Sequence, residues 1–267
     1  MNPHPTAGGS HLTISADPQV EYRRFVRERG DHVARFRLAF RELQGPAVLD
    51  YGSGSGFAAF FLPSQEVSYV GVEPDETPLR WSREHLATSD SRLTFLPPTD
   101  FWSKSASGSF DLVMALEVIE HVSQPRELLR RLSGLVRKGG AMIVSTPNGN
   151  LSRGEPLLFQ SPFHLTEFNP TEFVGLLTGL GSQMSVFKQY RVDRMDVVPQ
   201  LVKWSLTNWD RVTQSTRVSG TNRHESSWLY RTWALLPSPS IMWRVRPYRP
   251  SDCHRRSFSH LVAVVNF

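Results

Sequence analysis

The chain has 267 residues, 39% of them hydrophobic and 21% charged, which suits one large globular domain or a domain with an insertion. A single cysteine excludes an internal disulfide framework and a zinc cluster built from cysteines. No apolar run approaches the length of a membrane span, and the polar N-terminus does not have the pattern of a signal peptide, so a cytoplasmic protein is predicted.

The net charge of +5 is spread unevenly. Residues 191–256 contain 12 Lys or Arg and 5 Asp or Glu, whereas the rest of the chain is slightly acidic. A local positive field favours an anionic partner or substrate, but it also arises on ordinary solvated surfaces. Both interpretations stay open at this point.

Residues 1–16 are predicted to be disordered. Two amphipathic helices follow, at about 18–29 and 31–43, and Gly30 is the expected break between them. Apolar residues in the second helix recur every three or four positions and form one stripe. These are Val33, Phe36, Phe40 and Leu43.

The rest of the chain alternates between strand and helix patterns. Strands are predicted at 47–50, 67–72, 93–96, 111–115, 141–145, 184–190 and 259–267. Helices are predicted at 76–87, at 124–136 and after Asn169, where Pro170 and Glu172 complete a helix-start signature. This alternation predicts an α/β protein with a mostly parallel, seven-stranded sheet that has helices on both faces.

The segment 193–256 is predicted to be a separate layer inserted before the last strand, and residues 17–192 and 257–267 form the main domain. The segment contains five of the seven tryptophans, namely Trp204, Trp209, Trp228, Trp233 and Trp243. Large aromatic side chains either form the core of such a layer or pack against a flat or glycosyl ligand, and arginines bind phosphate or carboxylate groups.

A glycine-rich loop follows the first sheet strand in the sequence VLDYGSGSG, residues 48–56. Glycine permits a tight turn there and lets a ligand approach the backbone. Glu73 ends the next strand, where a carboxylate can accept hydrogen bonds from ribose hydroxyls. Phe57 stands where a dinucleotide motif has its last glycine, and Asp50 can attract an ammonium group. A nucleoside cofactor that carries an amino acid fits this pattern best.

Four segments together resemble the class I S-adenosylmethionine (SAM) dependent methyltransferases: VLDYGSGSG (48–56), VGVEPDE (70–76), FDLVMALEVIEHV (110–122) and RKGGAMIVSTPN (137–148). The resemblance implies a Rossmann-like fold and SAM as the cofactor. It assigns SAM contacts to Asp50, Gly52, Gly54 and Glu73, to Thr99 or Asp100 at the adenine, and to the backbone near Ala115 and Leu116. Pro63 departs from the family pattern, because it shortens the helix after the loop.

Glu117, Glu120 and His121 have the spacing i, i+3, i+4, which places them on one face if the segment is helical. The E-x-x-E-H pattern resembles that of small-RNA 3′-end 2′-O-methyltransferases, where it binds a divalent metal together with a later histidine, and that of ubiquinone-pathway O-methyltransferases. The resemblance implies that Glu117, Glu120, His121 and His164 hold Mg²⁺ or Mn²⁺. Without a metal, His121 or His164 is the candidate general base.

The predicted function is therefore SAM-dependent O-methylation of a hydroxyl on a small molecule or glycan, with an anionic acceptor as one option. The alternatives are an RNA 2′-O-methyltransferase, a non-catalytic SAM-binding subunit and a nicotinamide-dependent dehydrogenase. The lack of a recognisable RNA-binding module makes a nucleic-acid partner the weaker expectation. Phe57 and the absence of a Tyr-x-x-x-Lys pair count against the dehydrogenase.

Overall fold

A computed structural model describes residues 15–152, 163–191, 243–249, 251 and 258–267. The helices are α1 (Pro18–Glu28), α2 (Gly30–Arg41), α3 (Glu76–Ser82), α4 (Pro98–Lys104), α5 (Pro125–Ser133), α6 (Gly149–Ser152) and α7 (Pro170–Leu177). The strands are β1 (Ala47–Tyr51), β2 (Ser68–Val72), β3 (Leu93–Leu96), β4 (Phe110–Leu116), β5 (Val136–Pro147), β6 (Gln183–Arg191), β7 (Trp243–Pro247) and β8 (His260–Asn266). None of the helices in this part of the chain is long and apolar enough to cross a membrane.

The eight strands form one sheet in the order β3-β2-β1-β4-β5-β8-β6-β7. The first five strands are parallel, and β8 runs antiparallel to both β5 and β6. The carboxyl ends of β1, β4 and β5 therefore meet at one edge of the sheet, and β8 begins at that same edge. In such sheets this edge is where ligands bind.

Two hydrophobic cores lie on the two faces of this sheet, because successive strand residues point to opposite sides. In β4, Val113 and Ala115 pack with α5 and α7, whereas Leu112 and Met114 pack with α2 and α3. The predicted α/β architecture, Rossmann-like with helices on both faces, is confirmed.

The sheet has eight strands rather than the seven expected. The additional strand, β7, lies within the segment predicted to form the inserted layer and pairs antiparallel with the outer edge of β6. The four tryptophans at 204, 209, 228 and 233 lie outside the described residues, as do residues 1–14. The boundaries of the inserted layer therefore stay a prediction.

Two local features follow the sequence closely. Pro63 predicts a short helix after the glycine loop, and the chain forms only a 3₁₀-helix there, Phe57–Phe61. Asn169 and Glu172 form the expected capping box of α7, because each side chain accepts a hydrogen bond from the other residue's backbone N–H.

Strand β5 begins earlier than predicted. Val136 pairs with Phe110 and Ala141 pairs with Leu112, so the residues between them form an irregularity within the strand. Gly139 has a φ of 82°, which favours glycine and explains why the sequence there resembles a turn.

Candidate active site

The glycine-rich loop leaves β1 at the carboxyl edge of the sheet in a conformation that suits glycine. Gly52, Gly54 and Gly56 have φ values of 81°, 53° and 75°. A Cβ atom on Gly52 would lie 2.4 Å from Val118 Cγ2, whereas one on Gly54 would meet nothing within 4 Å. Gly54 therefore presents open backbone to the space above the loop, as contact with a cofactor requires.

Glu73 holds this loop through its carboxylate. Its Oε2 accepts a hydrogen bond from the Gly54 N–H at 2.8 Å, and its Oε1 accepts one from the Asp75 N–H at 2.9 Å. Burial raises the pKa of Glu73, although these two N–H donors act in the opposite direction. Each carboxylate oxygen has a second acceptor position, so the group can also receive ribose hydroxyls.

Asp50 is buried at the end of β1, beneath the loop. The Tyr69 hydroxyl donates a hydrogen bond of 2.6 Å to its Oδ2. Burial raises the pKa of Asp50 to about 7, and the nearby charge of Glu73 adds to the shift, whereas the hydrogen bond from Tyr69 opposes it. A ligand with an ammonium group would favour the charged form of Asp50, so this position fits the amino group of a bound amino acid.

A cavity of about 270 Å³ opens above the loop. Four of the cofactor residues expected from the sequence line it, namely Asp50, Gly52, Gly54 and Leu116. The opposite wall comes from the N-terminal helices, a contribution that the sequence analysis missed. It consists of Phe25, Arg29, His32 and Phe36. The stripe of α2 identified Phe36 only as a core residue, and no pattern marked Arg29 or His32.

The other expected cofactor residues do not line this cavity, and Glu73 is one of them, although it holds Gly54 of the cavity wall. Ala115 is fully buried in β4 next to Leu116, and its side chain is part of the core. Thr99 and Asp100 are exposed in the first turn of α4, directly after β3. Their proposed contact with the adenine stays a prediction.

Glu117 follows Leu116 and has a backbone conformation unusual for its residue type. Its φ of 57° is the one positive value among the described non-glycine residues. Its N–H donates to the Ser145 carbonyl at 3.1 Å, and its carboxylate accepts hydrogen bonds from the Ser145 hydroxyl at 2.7 Å and from His260 Nε2 at 3.2 Å. Burial disfavours the charge of Glu117, but Arg35, His260 and Ser145 outweigh it and lower the pKa.

Three of the four predicted metal ligands converge. Glu120, His121 and His164 bring one ligand atom each to within 4.8 Å of one another. Glu117 lies outside this group, because its carboxylate is turned to Ser145 and His260. A fourth ligand at Glu117 therefore stays a prediction, and a 3₁₀ turn (Ile119–His121) stands where a helix would have aligned the residues.

The hydrogen bonds of this cluster leave ligand atoms available. His121 Nδ1 donates to the Phe163 carbonyl at 3.0 Å, and His164 Nδ1 donates to Glu167 Oε1 at 3.2 Å. In the tautomer that these acceptors favour, Nε2 has the lone pair. Glu120 is fully buried and its Oε1 has no hydrogen-bond partner. Burial and the charge of Glu117 raise the pKa of Glu120 to about 9. A buried carboxyl oxygen without a hydrogen-bond partner, beside two imidazole rings, fits a cation site, because a bound cation would favour the charged form that burial disfavours.

Comparison with known families agrees with this geometry. Residues 22–184 match the model of a methyltransferase domain, and this range contains the glycine loop, Glu73 and the Glu120–His121 pair. The chain belongs to this methyltransferase family.

Curated relatives match over part of their length. The chain is 32% identical over 111 residues to a ubiquinone biosynthesis O-methyltransferase of Vibrio parahaemolyticus, covering 41% of this chain and 47% of the relative. A protein of the same description from Azorhizobium caulinodans is 33% identical over 117 residues, which are 44% of this chain and 46% of the relative. The chain thus spans about half the length of the curated relatives it matches.

Two solved structures share the fold. A SAM-dependent methyltransferase of Thermotoga maritima, described as a possible histamine N-methyltransferase, has a TM-score of 0.56 at 17% identity and covers 92% of this chain and 94% of its own. A SAM-dependent methyltransferase of Archaeoglobus fulgidus has a TM-score of 0.56 at 14% identity, with 93% and 99% covered. At these identities the likeness concerns the fold alone.

Proposed function

We propose that this methyltransferase transfers the methyl group of SAM to a hydroxyl oxygen of a small molecule. One observation carries the proposal: residues 116–121 connect the cavity above the glycine loop, here taken as the SAM site, to the cluster of Glu120, His121 and His164. The partial similarity to ubiquinone biosynthesis O-methyltransferases supports oxygen as the accepting atom.

Methyl transfer to a hydroxyl is an in-line displacement at a carbon that the sulfonium already activates. The protein therefore has to align the two reactants, exclude water and remove a proton from the hydroxyl. Asp50 and the glycine loop, which Glu73 holds through the Gly54 N–H, would fix the donor from below. Phe25 and Phe36 would cover it from α1 and α2. Alignment of two bound reactants contributes about 7–11 kcal/mol in favourable systems.

A divalent metal, Mg²⁺ or Mn²⁺, is the second part of the proposal. Glu120, His121 and His164 would hold it, and Phe163 and Glu167 would orient the two rings. When bound, such an ion lowers the pKa of a coordinated hydroxyl. Direct binding of Mn²⁺, followed by the electron paramagnetic resonance of the free ion, should occur in the wild type and be lost in Glu120→Gln.

The acceptor class can be tested with a fixed panel. The panel contains phenol, catechol, an aliphatic alcohol, a monosaccharide, a sugar phosphate and a short RNA with a free 3′ end, each incubated with methyl-labelled SAM. We expect transfer to one of the small hydroxyl compounds, and faster turnover of the sugar phosphate if the basic segment 191–256 recruits an anion. Transfer to the RNA alone would favour the 2′-O-methyltransferase alternative. SAM binding without transfer to any compound would contradict the proposal.

A further inference from the structure

A buried cation joins the part of the cavity wall that α2 supplies to the antiparallel half of the sheet. Arg35 lies on α2 between two residues of that wall, His32 and Phe36, and its side chain is fully buried. Burial of a guanidinium group is costly unless acceptors surround it. The acceptors of Arg35 therefore indicate what this residue does.

Arg35 binds in two directions through its two Nη atoms. Nη1 donates to Gln189 Oε1 on β6 at 2.7 Å, and Nη2 donates to Asp31 Oδ2 in the first turn of α2 at 3.0 Å. Gln189 Nε2 in turn donates to the Asp31 carbonyl at 2.8 Å, which closes a ring of hydrogen bonds. In the part of the chain that the structure describes, Arg35 Nε has no hydrogen-bond partner. The two Nη groups therefore hold the side chain, and a planar guanidinium is suited to two acceptors at fixed directions.

Gln189 has a fixed position within the sheet. It is fully buried in β6, 154 residues after Arg35 along the chain. Its carbonyl accepts hydrogen bonds from the Ser259 N–H at 2.8 Å and from the Ser259 hydroxyl at 3.2 Å. Strand β6 also pairs with β8 on one side and with β7 on the other. The sheet thus fixes Gln189, and Arg35 connects this fixed point to the first turn of α2.

Asp31 links Arg35 to the cavity wall. His32 Nδ1 lies 2.8 Å from the same Asp31 Oδ2 and 2.9 Å from Arg35 Nη2. Burial disfavours the charge of Asp31, but His32, Arg35 and Arg29 outweigh it and lower the pKa. An ionised Asp31 favours the tautomer of His32 that carries its proton on Nδ1, and so it orients the ring. Arg29 Nη2 lies 3.0 Å from Nδ1 and 3.1 Å from Nε2 of that ring, so both wall residues contact the group that Arg35 holds.

This part of the wall faces the same cavity as the residues expected at the methionine half of the donor. Arg29 and His32 line the cavity together with Asp50 and Gly52. A guanidinium complements the carboxylate of an amino acid, as Asp50 complements its ammonium group. The two groups can be bound at the same time only if the wall has the right position relative to Asp50.

We propose that Arg35 and Gln189 are positioning residues for the methyl donor; this rests on the proposed use of SAM. By tying the first turn of α2 to β6, they set the places of Arg29 and His32 in the cavity wall. Gln189 does not line the cavity, yet it controls part of the affinity for the methionine half of the donor. The nucleoside half, which Glu73 and the glycine loop are expected to hold, is bound independently of this ring of hydrogen bonds.

Isothermal titration of the full chain with two ligands tests this proposal. S-adenosylhomocysteine (SAH) contains the amino-acid half, and methylthioadenosine lacks it. Gln189→Met removes both hydrogen bonds of the side chain, so it should weaken SAH binding about tenfold and leave the Kd for methylthioadenosine within about threefold of the wild type. Arg35→Lys keeps the charge but has no planar fork for two acceptors, so it should show the same difference between the ligands to a smaller degree. A general loss of stability does not produce such a difference.

The matched control is Gln183→Met, the same substitution at an exposed residue that begins β6. It should bind both ligands as the wild type does. Unchanged SAH binding in Gln189→Met would overturn the proposal, and so would equal weakening of both ligands, which marks a purely structural role. If Gln189→Met does not fold, Arg35→Lys decides by the same criteria. A wild type that binds neither ligand would instead refute SAM as the donor, and this proposal with it.

Discussion

Removal of the Glu73 carboxylate is the sharpest test of the cofactor site. In Glu73→Ala the Gly54 and Asp75 N–H groups lose the acceptors that they bind at 2.8 and 2.9 Å. The proposed contact with a ribose hydroxyl loses its charged partner as well. A hydrogen bond to a charged group contributes roughly 1.5–3 kcal/mol. Since about 1.4 kcal/mol corresponds to a factor of ten, SAH should bind about tenfold to a hundredfold more weakly.

Isothermal titration with SAH measures this effect, and Glu73→Gln separates its causes. The amide of Gln retains one acceptor oxygen for a backbone N–H, but it lacks the charge and places N–H donors where the second oxygen was. We therefore expect an intermediate affinity.

The control is Glu76→Ala, which removes an exposed carboxylate from the first turn of α3. Its SAH affinity should equal that of the wild type. If Glu73→Ala also bound SAH with unchanged affinity, the assignment of this carboxylate to the ribose would be refuted.

Three further predictions concern the same cavity. In urea unfolding, Gly52→Ala should lower the free energy of unfolding by about 1–3 kcal/mol more than Gly108→Ala. Both glycines have a positive φ, but only the Cβ added at Gly52 would collide with a side chain, that of Val118. Equal losses in the two variants would contradict the packing argument. The pKa of Asp50 is about 7 in the folded protein and 3.8 in the unfolded chain, so the folded state binds more protons between these two pH values. The free energy of unfolding therefore falls as the pH rises through this range. Unfolding at pH 5 and pH 8 should therefore show Asp50→Asn gaining stability relative to the wild type at the higher pH, and a constant difference would argue against the raised pKa. Arg29, the cation in the cavity wall, should contribute to binding of SAH but not of methylthioadenosine, which lacks the carboxylate; titration of Arg29→Ala with both ligands checks this, and equal weakening would disprove it.

The sheet and the donor loop could be predicted because their signals are local. Buried parallel strands require continuous apolar runs, and the tight turn after β1 requires glycine, so both can be recognised from residues adjacent in the sequence. Glu73 also follows from order along the chain, since the carboxyl ends of neighbouring parallel strands lie side by side. The eighth strand has no comparable local signal, because among the described strands β7 pairs with β6 alone, and it lies in a segment with an unusual composition.

The sequence alone determined that Asp50 and the glycine loop stand at the mouth of an α/β sheet, and that Glu120, His121 and His164 are chemically able to share a ligand. Only the tertiary structure decided that Glu117 joins His260 instead. The spacing of Glu117 predicts a shared helical face, but the left-handed turn at this residue breaks that periodicity and aims its carboxylate across β5 towards β8. These two side chains are more than a hundred residues apart in the sequence. They meet because β5 pairs with both β4 and β8, and no local sequence pattern predicts such a contact.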